Sequence, residues 1–266
     1  MKSVSLDNIA IRLPGVASWA EAEQCFIHDA AFQESDLNLS ALGTKLPPME
    51  RRRATLVTKL AIDVAAETLG TLEPSRVKSV FASSGGEVEV IHKLFDELSQ
   101  EQPQLSPTQF HNSVHNTAAG YWSIATGSHA ASESLCGFDD TVAIGLMEAI
   151  SLCCSDQCPV MLIGYDVPPL FPISEFRTLD AFFAFGLLLN PEPNPNSLAT
   201  LRIRFEPSAE ETQCSSAHLE RIRLGNPAAR ILPLLYRVAM KSSGDVILGS
   251  DLTGFLRVSL ECSPIK

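Results

Sequence analysis

Residues 133–150 read ESLCGFDDTVAIGLMEAI, and this stretch largely decides the fold of the chain. A short extended run ends at Cys136, and the apolar residues that follow Asp139 recur at the spacing of a helix. The pattern predicts a strand that ends at a thiol, followed by a long apolar helix that begins at Asp139. A cysteine at such a corner is a candidate nucleophile for acyl transfer, because the N–H groups of a helix N-terminus stabilise a thiolate.

Strand and helix patterns alternate on both sides of this corner, which favours an α/β fold built around a central sheet. The connector NPEPNPNS at 190–197 is rich in proline and asparagine and divides the chain into 1–190 and 191–266. In the first part, strands are predicted at 78–82, 129–136, 159–166 and 181–191, and helices at 49–70, at 87–99 and within 107–127. In the second part, strands are predicted at 200–207, 244–251 and 254–262, with helical segments at 215–222 and 227–242.

Composition excludes several classes of function. The 266 residues carry a net charge of −11, which argues against nucleic acid or an anionic membrane surface as a partner. No run reaches the roughly 18–20 apolar residues that a spanning helix needs, and no signal peptide is recognisable, so we expect no membrane insertion and a cytoplasmic location. Seven cysteines, an odd number with no pair of C-x-x-C knuckles, indicate neither a disulfide framework nor a zinc module.

The cluster of Cys153, Cys154 and Cys158 is interpreted as core packing rather than as a metal site, because no histidine lies nearby. No Gly-rich phosphate loop stands out either, since ASSGGE at 82–87 lacks the lysine of that motif. We therefore expect neither a metal nor a cofactor.

Three segments taken together, PTQFHNSVHNTAAGYWSIATG (107–127), ESLCGFDDTVAIGLMEAI (133–150) and VMLIGYD (160–166), resemble the N-terminal half of a β-ketoacyl synthase of the thiolase superfamily. The order and spacing of the segments carry the resemblance, since no single one is specific. It implies a thiolase-like layered α/β/α fold with a buried central helix. Residues 1–190 would form the ketosynthase-like N-terminal half, and 191–266 a shortened C-terminal half that completes the same domain.

The chain departs from the family pattern at the residues that perform catalysis. Matching the central helix without a gap places Gly137 at the nucleophile position and Cys136 at the alanine before it. Asp139 and Asp140 would also favour the neutral form of a nearby thiol. The family uses two histidines of its C-terminal half, whereas after His129 this chain has only His218, in the segment SSAHLERI.

The resemblance therefore implies a non-catalytic subunit, similar to the chain-length factors of polyketide systems and most like those of bacterial aryl polyene pathways. Such a subunit forms a heterodimer with an active ketosynthase and meets acyl carrier protein only indirectly. A shift of one residue would return Cys136 to the nucleophile position. A Cys136-dependent acyltransferase or thioesterase thus remains open, as does a self-associating protein that binds an acyl ligand.

The resemblance also implies an interface. In the family, the strand before the nucleophile, here 129–135, pairs with its counterpart in the second subunit, and the loop before the small-residue helix inserts into the partner's acyl pocket. Phe110 packing in its own core is the alternative to that insertion, and His111 and His115 are interpreted as structural. The residues expected at the interface or in the partner's pocket are Thr108, Gln109, Phe110, Asn116, Gly120, Ser132 and Ser134.

Overall fold

The computed structural model describes residues 3–28, 41–250 and 254–263. The described strands are β1 (Val4–Arg12), β2 (Lys78–Ala82), β3 (Ser132–Leu135), β4 (Val160–Asp166), β5 (Phe183–Asn190), β6 (Ala199–Glu206), β7 (Gly244–Ser250) and β8 (Gly254–Cys262). The described α-helices are α1 (Trp19–Ile27), α2 (Pro48–Arg53), α3 (Leu56–Leu69), α4 (Val88–Leu98), α5 (Pro107–Asn112), α6 (Thr117–Thr126), α7 (Thr141–Asp156), α8 (Ala217–Gly225) and α9 (Leu232–Ala239).

All eight strands belong to one mixed sheet with the order β3-β2-β4-β5-β1-β6-β8-β7. The strand β2 runs parallel to both of its neighbours, β3 and β4, and the remaining pairs are antiparallel. Consequently β3 forms one edge of the sheet. The strand β1 lies in the interior between β5 and β6, although the sequence patterns above predict no strand at this position.

Helices cover both faces of the sheet and produce the three layers expected from the resemblance. One apolar cluster joins α7 to β1, β4 and β5, and a second joins α3 and α6 to the opposite face. Every residue of β4 is buried, which explains its uninterrupted apolar run. The helix α7 is also contacted by β7, β8 and the 3-10 turn Pro227–Ile231, so the prediction of a buried central helix is confirmed.

The sheet continues across the connector at 190–197. The first strand after it, β6, pairs with β1 through Val4–Leu201 and Leu6–Ala199, and the main core contains residues from both parts of the chain. The segments 1–190 and 191–266 therefore contribute to one sheet and one core.

Local bounds differ from the predictions in four places. The helix predicted at 49–70 is broken into α2 and α3, because Ala54 is extended and the Thr55 side chain caps α3 by accepting from the Thr58 amide at 3.2 Å. The strand predicted at 129–136 is shorter. Residues 107–112, predicted as loop, form α5, where Ser106 is the N-cap and Pro107 the first helical residue. The apolar helix begins at Thr141, after a 3-10 turn at Phe138–Asp140, and not at Asp139.

Candidate functional site

The corner between β3 and α7 holds the thiol that the sequence singles out. Cys136 directly follows β3 and is exposed, and its Sγ donates a hydrogen bond to the carbonyl oxygen of Ser84 at 3.3 Å. Because α7 begins at Thr141, the thiol lies outside the first helical turn, where the favourable effect of the helix dipole is concentrated. In this arrangement the thiol is directed at a carbonyl oxygen.

At Gly137, the residue expected at the nucleophile position, a side chain would require Ile144 to move. The glycine backbone has φ −141° and ψ 30°, and its amide donates to Thr141 Oγ1 at 3.0 Å. A Cβ atom built on Gly137 would overlap the Cδ1 atom of Ile144 on α7. Ile144 therefore fills the place where a nucleophilic side chain at residue 137 would begin.

The next three residues contact groups from distant parts of the chain, and the Phe138 side chain stays 55% exposed. Phe138 adopts a left-handed conformation, with φ 54°, and the guanidinium carbon of Arg177 lies 3.9 Å from its ring centroid. Arg177 also places Nη1 2.7 Å from Asp139 Oδ1. Asp140 is buried and accepts a hydrogen bond from Ser250 at 2.7 Å. The two carboxylates expected to act on the thiol thus bind Arg177 and Ser250.

The loop Ser83–Gly86 lies between Cys136 and His115. The Nε2 atom of His115 is 3.1 Å from the carbonyl oxygen of Ser83, and since a carbonyl can only accept, this nitrogen carries the proton. The histidine and the thiol therefore bind neighbouring carbonyls of one loop. His111 contacts Asn112 on α5, and His218 lies on α8.

Asp166, at the end of β4, holds this loop in place. Its carboxylate accepts from Ser83 Oγ at 2.9 Å, from the Ser84 amide at 2.9 Å and from the Gly85 amide at 3.1 Å. Complete burial raises the pKa of Asp166, and these hydrogen bonds oppose the rise. The loop that contacts both Cys136 and His115 is therefore held in place by its hydrogen bonds to the Asp166 carboxylate.

The residues expected at the partner interface lie on the surface. Thr108, Phe110, Asn116, Gly120 and Ser132 are exposed, while Gln109 and Ser134 are half-buried. Phe110 is 66% exposed, so it does not pack in the core of its own chain. Asn116, the N-cap of α6, and the exposed helical residues Gly120 and Ile124 follow one another at intervals of four residues and lie on one side of the helix.

Three contributors to the corner have no local sequence signal. Arg177, Ser84 and Ser250 come from three loops or strand ends that are distant from Cys136 in the chain. Only the pairing of β3 with β2 and the packing of α7 bring them together. A sequence pattern reports periodicity within a segment, so it could not identify these side chains.

The described residues offer no group of three or more His, Cys, Asp or Glu side chains arranged to hold a metal ion. Cys153 of the predicted core cluster is buried in α7, and burial raises the pKa of its thiol to about 12. Within the same described ranges, no helix is long and apolar enough to cross a membrane.

Comparison with known proteins places the chain in a family. The family model described as "Beta-ketoacyl synthase, N-terminal domain" matches residues 18–225, while a comparison with curated protein sequences gives no match. Solved structures share the fold at low sequence identity. A chain from the complex of the ketosynthase ApeO with its chain length factor ApeC, from Xenorhabdus doucetiae, has a TM-score of 0.71 at 20% identity and covers 97% of this chain and 100% of its own length.

Two further solved structures are similar over nearly the whole chain. A chain of the ishigamide ketosynthase/chain length factor has a TM-score of 0.70 at 13% identity, over 99% of this chain and 100% of that one. A chain of the AntDE:AntF complex, a type II PKS acyl-carrier protein with its ketosynthase bound to the hexaketide, has a TM-score of 0.75 at 11% identity, over 98% and 99%. Since the family model covers most of the sequence, from α1 to the end of α8, the chain belongs to the β-ketoacyl synthase N-terminal domain family.

Proposed function

We propose that this chain is a non-catalytic, chain-length-factor-like subunit that pairs with an active β-ketoacyl synthase and shapes its acyl pocket in polyene or polyketide biosynthesis. The observation that carries the proposal is the corner between β3 and α7. Its thiol donates to a carbonyl, Ile144 lies where a side chain at residue 137 would begin, and Arg177 contacts Phe138 and Asp139. Such a corner offers no activated nucleophile to an acyl thioester.

Similarity to solved structures supports the choice of partner. Three structures that share this fold are ketosynthase complexes, and two of them contain a chain length factor by name. The edge strand β3, with its exposed residues Ser132 and Glu133, would pair with a strand of the ketosynthase. The partner would then supply the nucleophile and the histidines that condensation needs.

The acyl carrier protein is expected to bind mainly to the partner. Acyl carrier proteins are acidic, and this chain has a net charge of −11, so their long-range electrostatic interaction is repulsive. Contact of the chain with the carrier protein would therefore be indirect.

The segment 108–110 is the proposed pocket-shaping element. It lies in α5, one short turn of helix held by Ser106 at its N-terminus, and it presents Thr108 and Phe110 to solvent. Burying an exposed phenylalanine in a partner's pocket yields about 1.5–3 kcal/mol. The bulk of such a side chain would limit the length of acyl chain that the partner can hold.

We predict that Gln109→Trp shortens the products of the complex by at least one extension unit, because the larger side chain reduces the space in the pocket. The measurement is co-expression with candidate ketosynthases, co-purification of the complex, and mass analysis of the products. Gln24→Trp, on the exposed side of α1, is the matched control and should leave product length unchanged. An intact Gln109→Trp complex that makes products of normal length would contradict the steric role.

A further inference from the structure

The edge of the sheet at β3 has two chemically different sides. Glu133 pairs in register with Val80 and Leu135 with Ala82, and both partners belong to the core cluster that contains α7. Ser134 pairs with Phe81, which belongs to the cluster that contains α6. Because paired residues of neighbouring strands share a face, Glu133 faces α7 and the serines face α6.

An acidic pair lies on the α7 side of this edge. Glu148 of α7 lies close enough to Glu133 to interact with it, and burial together with the charge of Glu133 raises the pKa of Glu148. Lys78, at the start of β2, is near enough to interact with Glu133, but its ammonium group is bound by Asp156. The acidic pair is thus not neutralised by this lysine.

Apolar side chains border the same edge. Ile124 on α6 is 50% exposed, and Met147, the residue before Glu148 on α7, is 39% exposed. An unpaired strand flanked by exposed apolar groups favours pairing with another strand. The edge is therefore open to pairing, and the acidic pair lies beside it.

A second copy of this chain is a poor partner for the edge. When two copies of the strand pair antiparallel across a two-fold axis, residues that lie opposite each other point to the same face of the sheet. Glu133 would then face Glu133 or Leu135 of the second copy. The first arrangement opposes two like charges, and the second buries a carboxylate against an apolar side chain, so both are unfavourable.

We propose that the β3 edge, through Glu133 and Glu148, rejects a second copy of this chain and accepts a partner strand that carries lysine or arginine opposite this pair. The inference rests on the proposed function, in which a ketosynthase subunit supplies the partner strand. It adds the charge complementarity by which the β3 edge would distinguish a ketosynthase strand from a second copy of the chain.

The test uses only this chain, as two differently tagged forms. One is the wild type, and the other carries Glu133→Lys and Glu148→Lys. Mixed at low ionic strength and measured by native mass spectrometry and sedimentation equilibrium, the two forms should make a 1:1 dimer at least tenfold more tightly than either form pairs with itself. The association should weaken as salt is added, because it depends on charge.

A matched control carries Glu192→Lys and Glu210→Lys, two exposed positions of which the first lies in the connector and the second after it, so that the net charge changes equally. A second variant, Glu133→Gln with Glu148→Gln, keeps the size of both side chains and should associate with itself at least tenfold more tightly than the wild type. Mixed dimers no tighter than those of the control, or glutamine variants that remain as monomeric as the wild type, would overturn the inference. These measurements contain no ketosynthase, so the proposed function is judged separately, by co-purification with that partner.

Discussion

At the scale of the residue, Cys136 combines an exposed thiol with neighbours that do not activate it. Exposure is the feature that favours the alternative function, a Cys136-dependent acyltransferase or thioesterase. Its Sγ, however, donates to Ser84, and the nearby imidazole of His115 uses its Nε2 proton on Ser83. A nucleophilic cysteine needs a base or a positive neighbour, whereas this sulfur faces the oxygen of a carbonyl.

We predict that the purified chain forms no acyl adduct on Cys136 when it is incubated with an N-acetylcysteamine acyl thioester. The reason is that, among the described residues, the hydrogen bond of the thiol goes to the Ser84 carbonyl and not to a base. Peptide mass analysis checks the result, and labelling of the same residue by iodoacetamide serves as the control for access. Cys136→Ala should also leave product formation by the ketosynthase complex within about twofold of the wild type. An acyl-Cys136 species that forms and turns over would instead support the alternative function.

At the scale of the element, Glu87 joins α3 to α4. Its Oε1 accepts from Thr55 Oγ1 at 2.9 Å and from the hydroxyl of Thr58, both in the first turn of α3. Among the described residues, its Oε2 is buried without a hydrogen-bond partner. Glu87 is only 4% exposed, and burial raises the pKa of its carboxyl group above the usual 4.5. The contact with Thr55 also accounts for the break between α2 and α3.

We predict that the free energy of unfolding of the Glu87→Gln variant increases relative to that of the wild type as the pH rises from 4.5. Between the unfolded pKa and the raised folded pKa, the native state binds more protons than the unfolded state, so the stability of the wild type falls with increasing pH. Glutamine cannot ionise and removes this dependence. Urea unfolding at a series of pH values measures it.

Glu97→Gln provides the control for Glu87, because Glu97 lies on the same helix and is not among the groups that shift the pKa of Glu87. This variant should show the same pH dependence as the wild type. If Glu87→Gln and the wild type keep a constant stability difference across the range, the role of the buried carboxylate is refuted.

At the scale of the whole molecule, α7 is enclosed from both parts of the chain. The sheet of the first part covers one side of it, and β7, β8 and the turn at Pro227–Ile231 contact it from the second part. Six side chains that follow the connector are almost completely buried in the shared core: Leu232, Leu234, Leu235, Val246, Leu248 and Val258. At about 2 kcal/mol each, their loss is comparable with the net stability of a typical domain, about 5–15 kcal/mol.

We predict that residues 1–190 expressed alone do not unfold cooperatively, because α7 loses this cover. Circular dichroism and size-exclusion chromatography measure the effect, and co-expression of residues 191–266 should restore a cooperative transition. As a control, the full chain cut at a protease site inserted between Asn194 and Pro195 should stay associated, since this connector is largely exposed. Native-like unfolding of the 1–190 fragment would show that the first part is independent.

Several features could be predicted from the sequence because they depend on contacts near in the chain. The apolar run at 159–166 predicts β4, the turn at 83–86 separates β2 from α4, and the helical spacing after Asp139 predicts α7, although the helix itself begins at Thr141. The order of these segments also indicates the family, as the match over 18–225 confirms. In each case, the local pattern of apolar, polar and turn residues indicates which parts of the segment are buried.

Only the tertiary structure decided the remainder. The place of β1 inside the sheet depends on its antiparallel register with β5 and β6, strands that lie far away in the chain. The covering of the corner depends on Arg177 and Ser250, and the exposure of Phe110 depends on how α5 rests against α4. These features depend on contacts between segments that are distant in the sequence. A local pattern of residues does not reveal such contacts.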